Sequence, residues 1–298
     1  MKKGSRLSVI AFWGAVELGL IYAFVALGVF LAFRVLDFPD LTVDGSFPLG
    51  AAVTDVLITA GLNAWAAAGI AMIAGAAAGI VTAILNVRFR ILNLLASILT
   101  MIALFSVNLR VMGKPNVALI NADTMLSPFF GHGLREFYVR PLFIGVLVII
   151  ALIAVWRFLE SDAGLAMRAT GANARMARAQ GVDTSFQIYL GMALSNALVA
   201  LGGALFAQTS GFADVTSGVG TIVVGLAAVI IGETLLGARG ILIALIGCVL
   251  GSILYRIAIQ LALSTDMLGL QASDLNLVTA VLVTVALILP RLRRGGAA

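Results

Sequence analysis

An ionisable side chain inside hydrocarbon is costly and is therefore the first place to look for chemistry. Of the ionisable residues in the apolar runs of this chain, Glu17, Glu233 and Arg256 are the candidates. Chains of acids at membrane depth relay protons or ions, but three scattered charges do not make such a relay. Glu233 lies just before Gly237 and Arg239, where interfacial pairing would suffice, and Arg256 is close enough to the end of its run to snorkel. The single histidine, His132, sits between Gly131 and Gly133 with no second ligand for a metal and no partner for nucleophilic catalysis. Cys248 is the only cysteine, so no internal disulfide or thiolate cluster can form. No Gly-rich loop ending in Gly-Lys-Ser/Thr occurs, and ATP cannot be held by that route. An intramembrane enzyme lacks its paired groups here, and no cofactor is expected on this chain.

A different kind of chemistry, recognition, is written into the polar stretch from Glu160 to Gln187, which separates two long apolar blocks. It contains Arg168, Arg175 and Arg178 among small residues. Asn173 can cap a helix over Ala174 to Gln180, and Gly181 suits its C-terminal cap. About two turns of helix are marginal alone and must be held by packing. A surface of Ala172, Ala177, Ala179, Met176 and the two arginines fits a hydrophobic pocket with a charged rim. The stretch reads as a docking surface on the cytoplasmic side.

The elements that present this stretch must be membrane spans. With 61% hydrophobic residues, 11% charged residues and a mean hydropathy of +1.11, the 298-residue chain is an all-α polytopic membrane protein. The net charge of +5 follows from arginines at segment ends, so nucleic acid is not an expected partner. Runs long enough to span extend over 9–36, 62–85, 92–112, 141–159, 188–208, 219–236, 241–263 and 275–289, with a shorter run over 47–60. Basic residues at Lys2, Lys3, Arg6, Arg88, Arg90, Arg168, Arg175, Arg178, Arg239 and Arg291 put both termini on the cytoplasmic side. One transmembrane domain of eight to nine segments is expected: a first half over about 9–159, the polar segment over 160–187, and a second half over 188–290.

On this orientation 47–85 crosses only once, although it holds a full span and about 14 further apolar residues. Either a broken or re-entrant segment lines a solute route near Pro39, Gly45, Pro48 and Gly50, or a short helix packs on its neighbour. A repeat bears on the choice. Phe38-Pro-Asp-Leu-Thr42 recurs as Phe212-Ala-Asp-Val-Thr216, each after an expected outward span, which suggests two halves related by an axis along the membrane normal. Asp40, Thr42, Asp214 and Thr216 thereby become pathway candidates, as do Asn196 and Gln208, although amides in spans more often bond helix to helix.

The run from Gly171 to Val182, a new span starting near Ile188, Gly202-Gly-Ala, and Gly218-Val-Gly-Thr-Ile-Val-Val-Gly-Leu-Ala-Ala-Val-Ile-Ile-Gly-Glu233 together resemble the permeases of bacterial ABC importers of the branched-chain amino acid and ribose type. The likeness covers most of the chain and is strongest over 164–256; Leu268-Gly-Leu-Gln-Ala-Ser-Asp-Leu275 fits the branch associated with tryptophan, tyrosine or uncharacterised solutes. The resemblance implies a vitamin B12-permease-like importer fold and a second permease copy or paralogue around the pathway. It also implies an ABC ATPase carrying ATP and magnesium, and a periplasmic or lipid-anchored binding protein that delivers a small solute, such as an amino acid. Gly171, Ala172, Asn173, Arg175, Met176, Ala177, Arg178, Ala179 and Gly181 would then form the coupling helix, with Arg175 and Arg178 on an acidic rim. The alternative is an ion-coupled secondary transporter, for which Glu17 or Asp55 would have to hold the ion.

Overall fold

In the computed structural model, residues 9–119, 123–127, 136–237, 240–264, 281 and 284 are described. His132, the motif 268–275 and all of the run 275–289 except residues 281 and 284 lie outside them. The described chain forms α1 (Val9–Val29), continued by a π-helical turn (Phe30–Val35), then α2 (Val43–Thr59), α3 (Ala64–Val87), α4 (Asn93–Met112), β1 (Asn116–Ala118), α5 (Glu136–Glu160), α6 (Asp162–Ala172) and α7 (Ala174–Ala179). α8 (Thr184–Ser210), β2 (Phe212–Asp214), a short 3-10 turn (Val215–Gly218), α9 (Thr221–Leu236) and α10 (Ile241–Ser264) follow. Seven of the described helices are long and apolar enough to cross a membrane: α1 with its π turn, α3, α4, α5, α8, α9 and α10.

Helix directions follow from which residues meet. Gly28 packs on Ser195, and Gly202 on Ile21 and Phe24, so α1 and α8 are antiparallel. Gly171 of α6 lies against Val35 at the end of α1, while Trp13 near its start stacks edge-on to Tyr138 near the start of α5, ring centroids 5.1 Å apart. About 33 Å of helix separates these two points. The start of α1 and the segment 160–187 therefore occupy opposite ends of the bundle, which corrects the expectation that both lie on one side. Lys2, Lys3 and Arg6 gave the misleading vote, and Arg34, inside the first apolar run, was left out of the count.

The same geometry removes the parity problem. α1 descends toward α6, the chain reverses through 36–42, and α2 returns toward the antiparallel β1–β2 pair. The run 47–85 thus supplies two helices rather than one broken span. α2 is buried along most of its length and includes Pro48. It fits because small residues let backbones touch: a Cβ on Gly203 would lie 1.9 Å from the carbonyl oxygen of Phe47, and one on Gly50 2.0 Å from that of Ala200.

The repeat is real locally and inverted globally. In each copy the Asp Oδ1 accepts the N–H of the Thr two residues on, at 2.9 Å for Asp40–Thr42 and 2.7 Å for Asp214–Thr216. The spans that precede the copies run in opposite directions, however, so an axis in the membrane plane relates α1–α2 to α8–α9 rather than one along the normal. The start of α2 meets the start of α9 near that axis, where the Asp44 carboxylate accepts the backbone N–H groups of Gly220 and Ile222 at 3.2 and 2.8 Å.

Candidate functional site

The segment 160–187 folds as two helices, α6 and α7, hinged at Asn173. Ser161 caps α6 through the Gly164 N–H, a second helix that the sequence reading did not separate. Asn173 ends α6 in an extended conformation, and its Oδ1 accepts the N–H groups of Arg175 and Met176, both at 3.1 Å, to start α7. Gly181, at φ +86°, follows α7 where a left-handed residue is needed. α7 is thus fixed in direction by its own caps. Ala172, Asn173, Arg175, Met176, Arg178, Ala179 and Gly181 are exposed, Met176 at 64%. Ala177 faces inward and is buried, and so packs α7 on the bundle. Gly171 does similar work for α6, since a Cβ there would lie 2.0 Å from the Val35 carbonyl oxygen.

At this end of the molecule Glu233 accepts a two-pronged ion pair from Arg34, Nη2 to Oε2 at 2.9 Å and Nε to Oε1. The pair ties the end of α1 to the end of α9. A cavity of about 280 Å3 beside it is lined by Arg34, Arg168, Gly171, Ala172 and neighbouring apolar residues. Arg34 was legible as a charge within the first apolar run, but only the fold shows its partner.

The pathway candidates separate into two groups. Asp40, Thr42 and Asn196 are buried and share one network near the mid-height of α8. Asn196 Nδ2 donates to Asp40 Oδ2 at 2.8 Å, Ser46 Oγ donates to Asn196 Oδ1 at 2.7 Å, and the Thr42 and Thr82 hydroxyls are 2.7 Å apart. Ser46 and Thr82 were missed because a hydroxyl in an apolar helix carries no sequence signal beyond its type. Asp214 and Thr216 lie at the other end, in β2 and the 3-10 turn that follows it, where Asn116 Nδ2 of β1 donates to Asp214 Oδ2 at 3.1 Å. Burial pushes the Asp214 pKa up, but hydrogen bonds from the Thr216 hydroxyl, Asn116 and the Thr216 N–H outweigh it and hold the carboxyl below its ordinary range. Gln208 Oε1 accepts the Met125 N–H at 3.0 Å near the same end.

The remaining intramembrane charges are not gathered into a site. Arg256 lies over the Tyr22 ring, 3.9 Å from its centroid. Glu17 is half-buried and within the electrostatic reach of Arg140 on α5. Among the described residues no group of three or more His, Cys, Asp or Glu side chains could hold a metal.

Comparison with known proteins agrees with this architecture. The chain is 37% identical over 265 residues to the tyrosine transport system permease protein of Clostridioides difficile, covering 89% of this chain and 86% of that protein. It is 34% identical over 189 residues to an uncharacterised protein of Rickettsia prowazekii, covering 63% and 65%. Among solved structures it resembles a chain of PsaBC from Streptococcus pneumoniae in complex with Fab, with a TM-score of 0.50, 15% identity, and coverage of 93% of this chain and 89% of that one. The model of the family described as branched-chain amino acid transport system, permease component, matches residues 14–289, and the chain belongs to that family.

Proposed function

We propose that this permease is the membrane subunit of an ATP-driven importer and that α7 is the piece a separate ATPase grips. The observation that carries the reading is the exposed surface of Arg175, Met176 and Arg178 on a capped, seated helix at one end of the bundle. An exposed Met between two arginines suits neither lipid nor bulk water as well as it suits an apolar pocket with an acidic rim. ATP and magnesium belong to that ATPase. Two permease chains, copies or paralogues, pair around the pathway, and a periplasmic or lipid-anchored binding protein delivers cargo at the end that carries the β1–β2 pair.

The end that carries α7 is the cytoplasmic one, because Arg34, Arg88, Arg90, Arg157, Arg168, Arg175 and Arg178 all gather there. On this orientation α1 begins on the outer side of the inner membrane. α2 adds a return crossing to the seven long helices. Asp40, Thr42 and Asn196, buried within a single chain, support α2 against α8; Asp214, Thr216 and Gln208 stand nearer the point of delivery. The likeness to a tyrosine permease supports an amino acid as cargo, an aromatic one first.

The test is purification of the tagged chain from its native membrane in mild detergent, with mass spectrometry of its companions. A P-loop ATPase should accompany the wild type and be lost from R175E/R178E, while the variant still inserts. A chain that emerges only with itself would favour the ion-coupled alternative.

A further inference from the structure

Four elements meet around the cavity of about 280 Å3 beside the Arg34–Glu233 pair. The π-helical turn that ends α1 contributes Arg34, α6 contributes Arg168 and Ala172, and α5 and α10 contribute Leu159 and Ile241. Arg168 stands one turn before Gly171, which touches Val35, so it leaves α6 on the face turned to the end of α1. Its side chain is half-buried, and its Nε is shut off from solvent with no hydrogen-bond acceptor among the described residues. A buried guanidinium N–H without an acceptor is costly and calls for a group from outside the chain. Arg34 spends Nε and Nη2 on Glu233. Its Nη1 is left to donate.

We propose that this cavity binds a phosphate-bearing anion between Arg168 and Arg34. The site stands on its own geometry; only the leaflet it faces rests on the orientation given above. Charge selects the occupant. The described lining holds two guanidinium groups and no carboxylate, and the adjacent Glu233 offsets one of the two. The undescribed residues closest to Ile241 in sequence, Ala238 and Arg239, bring no acid. The undescribed stretches contain only two acids, Asp266 and Asp274, and both follow the far end of α10. About 35 Å of helix separates that end from Ile241. A guanidinium fork matches the oxygens of a phosphate in geometry as well as charge. At a water's share of about 30 Å3, the cavity equals about nine waters, room for a phosphate and part of its ester. Phe30, Leu159 and Ile241 make the rest of the wall apolar, which suits the glycerol ester of a phospholipid better than a bare phosphate ion. Basic pockets between helices on the cytoplasmic side are suited to anionic headgroups. An occupant held by both arginines would brace α6, and with it α7, against the end of α1.

The experiment has two arms, each on the full chain. In the first, the protein is reconstituted into vesicles of equimolar phosphatidylglycerol and phosphatidylethanolamine, stripped stepwise in detergent and weighed by native mass spectrometry. The wild type should retain one phosphatidylglycerol per chain in several-fold preference to phosphatidylethanolamine, whose ammonium offsets its phosphate. In the second, delipidated protein in uncharged detergent is melted with inorganic phosphate and with chloride at matched ionic strength. A rise in melting temperature specific to phosphate, without a lipid preference, would assign the site to a soluble phosphate instead of a headgroup. Arg168→Gln should abolish whichever effect is seen, and its folded yield should match the wild type because the Nε it removes has no partner. Arg88→Gln removes the same charge from an exposed position on the turn between α3 and α4 and should keep the effect. Absence of both effects would overturn the proposal, as would an effect that Arg168→Gln retains or that Arg88→Gln weakens equally. Neither arm involves an ATPase, so such a failure leaves the importer reading standing.

Discussion

Arg34 and Glu233 illustrate how a charge deep in an apolar run is kept without being catalytic. Their side chains are 58% and 19% exposed, and the guanidinium meets both carboxylate oxygens, a geometry that adds direction to the attraction. A pair with this much solvent access contributes about 1 kcal/mol or less. R34A and E233A should each lower the melting temperature of the purified protein slightly, and the double variant should be no worse than the weaker single one. Additive losses in that cycle would mean that the two residues act separately. Glu233 could be picked out from the sequence as a charge near a helix end, whereas its partner, nearly two hundred positions away, could not. The Asp40–Asn196–Ser46 network shows the same limit: each residue type is legible, but its pairing depends on how α2 lies across α8.

Helices were the most legible scale, because runs of apolar residues bounded by Gly, Asn and Arg mark spans of the length a bilayer needs. The bounds 92–112 and 188–208 differ from α4 and α8 by a few residues at most. For 47–60 the sequence leaves a broken segment and a short packed helix both open, because the run is short and contains Pro48 and a wrong orientation for α1 left no crossing for it; α2 is a helix. Within 160–187 the sequence does not separate α6 from α7. What holds α2 is the close approach of Phe47 to Gly203, so G203A should force the helices apart at about 1–3 kcal/mol. That loss should appear as reduced thermal stability and folded yield in detergent. G69A, whose new methyl meets nothing within 4 Å, is the control and should leave both unchanged.

Orientation is a property of the whole molecule, and there the charge rule misled by counting Lys2, Lys3 and Arg6 equally with the arginines around α6 and α7. Packing decides otherwise, since Gly171 touches the end of α1 and Trp13 touches Tyr138. The inversion of α1–α2 relative to α8–α9 follows from the same contacts. In sealed cells, a membrane-impermeant thiol reagent added outside should therefore label Ile10→Cys and spare Met176→Cys; Cys248 is fully buried and should remain silent. Labelling of both from the same side would contradict the inverted arrangement. The central claim is that α7 is where ATP-driven motion enters the bundle, and a photoreactive amino acid placed at Met176 in native membranes tests it most directly. The account predicts a crosslink to a P-loop ATPase that disappears with R175E/R178E; a crosslink only to lipid or to another copy of this chain would contradict it.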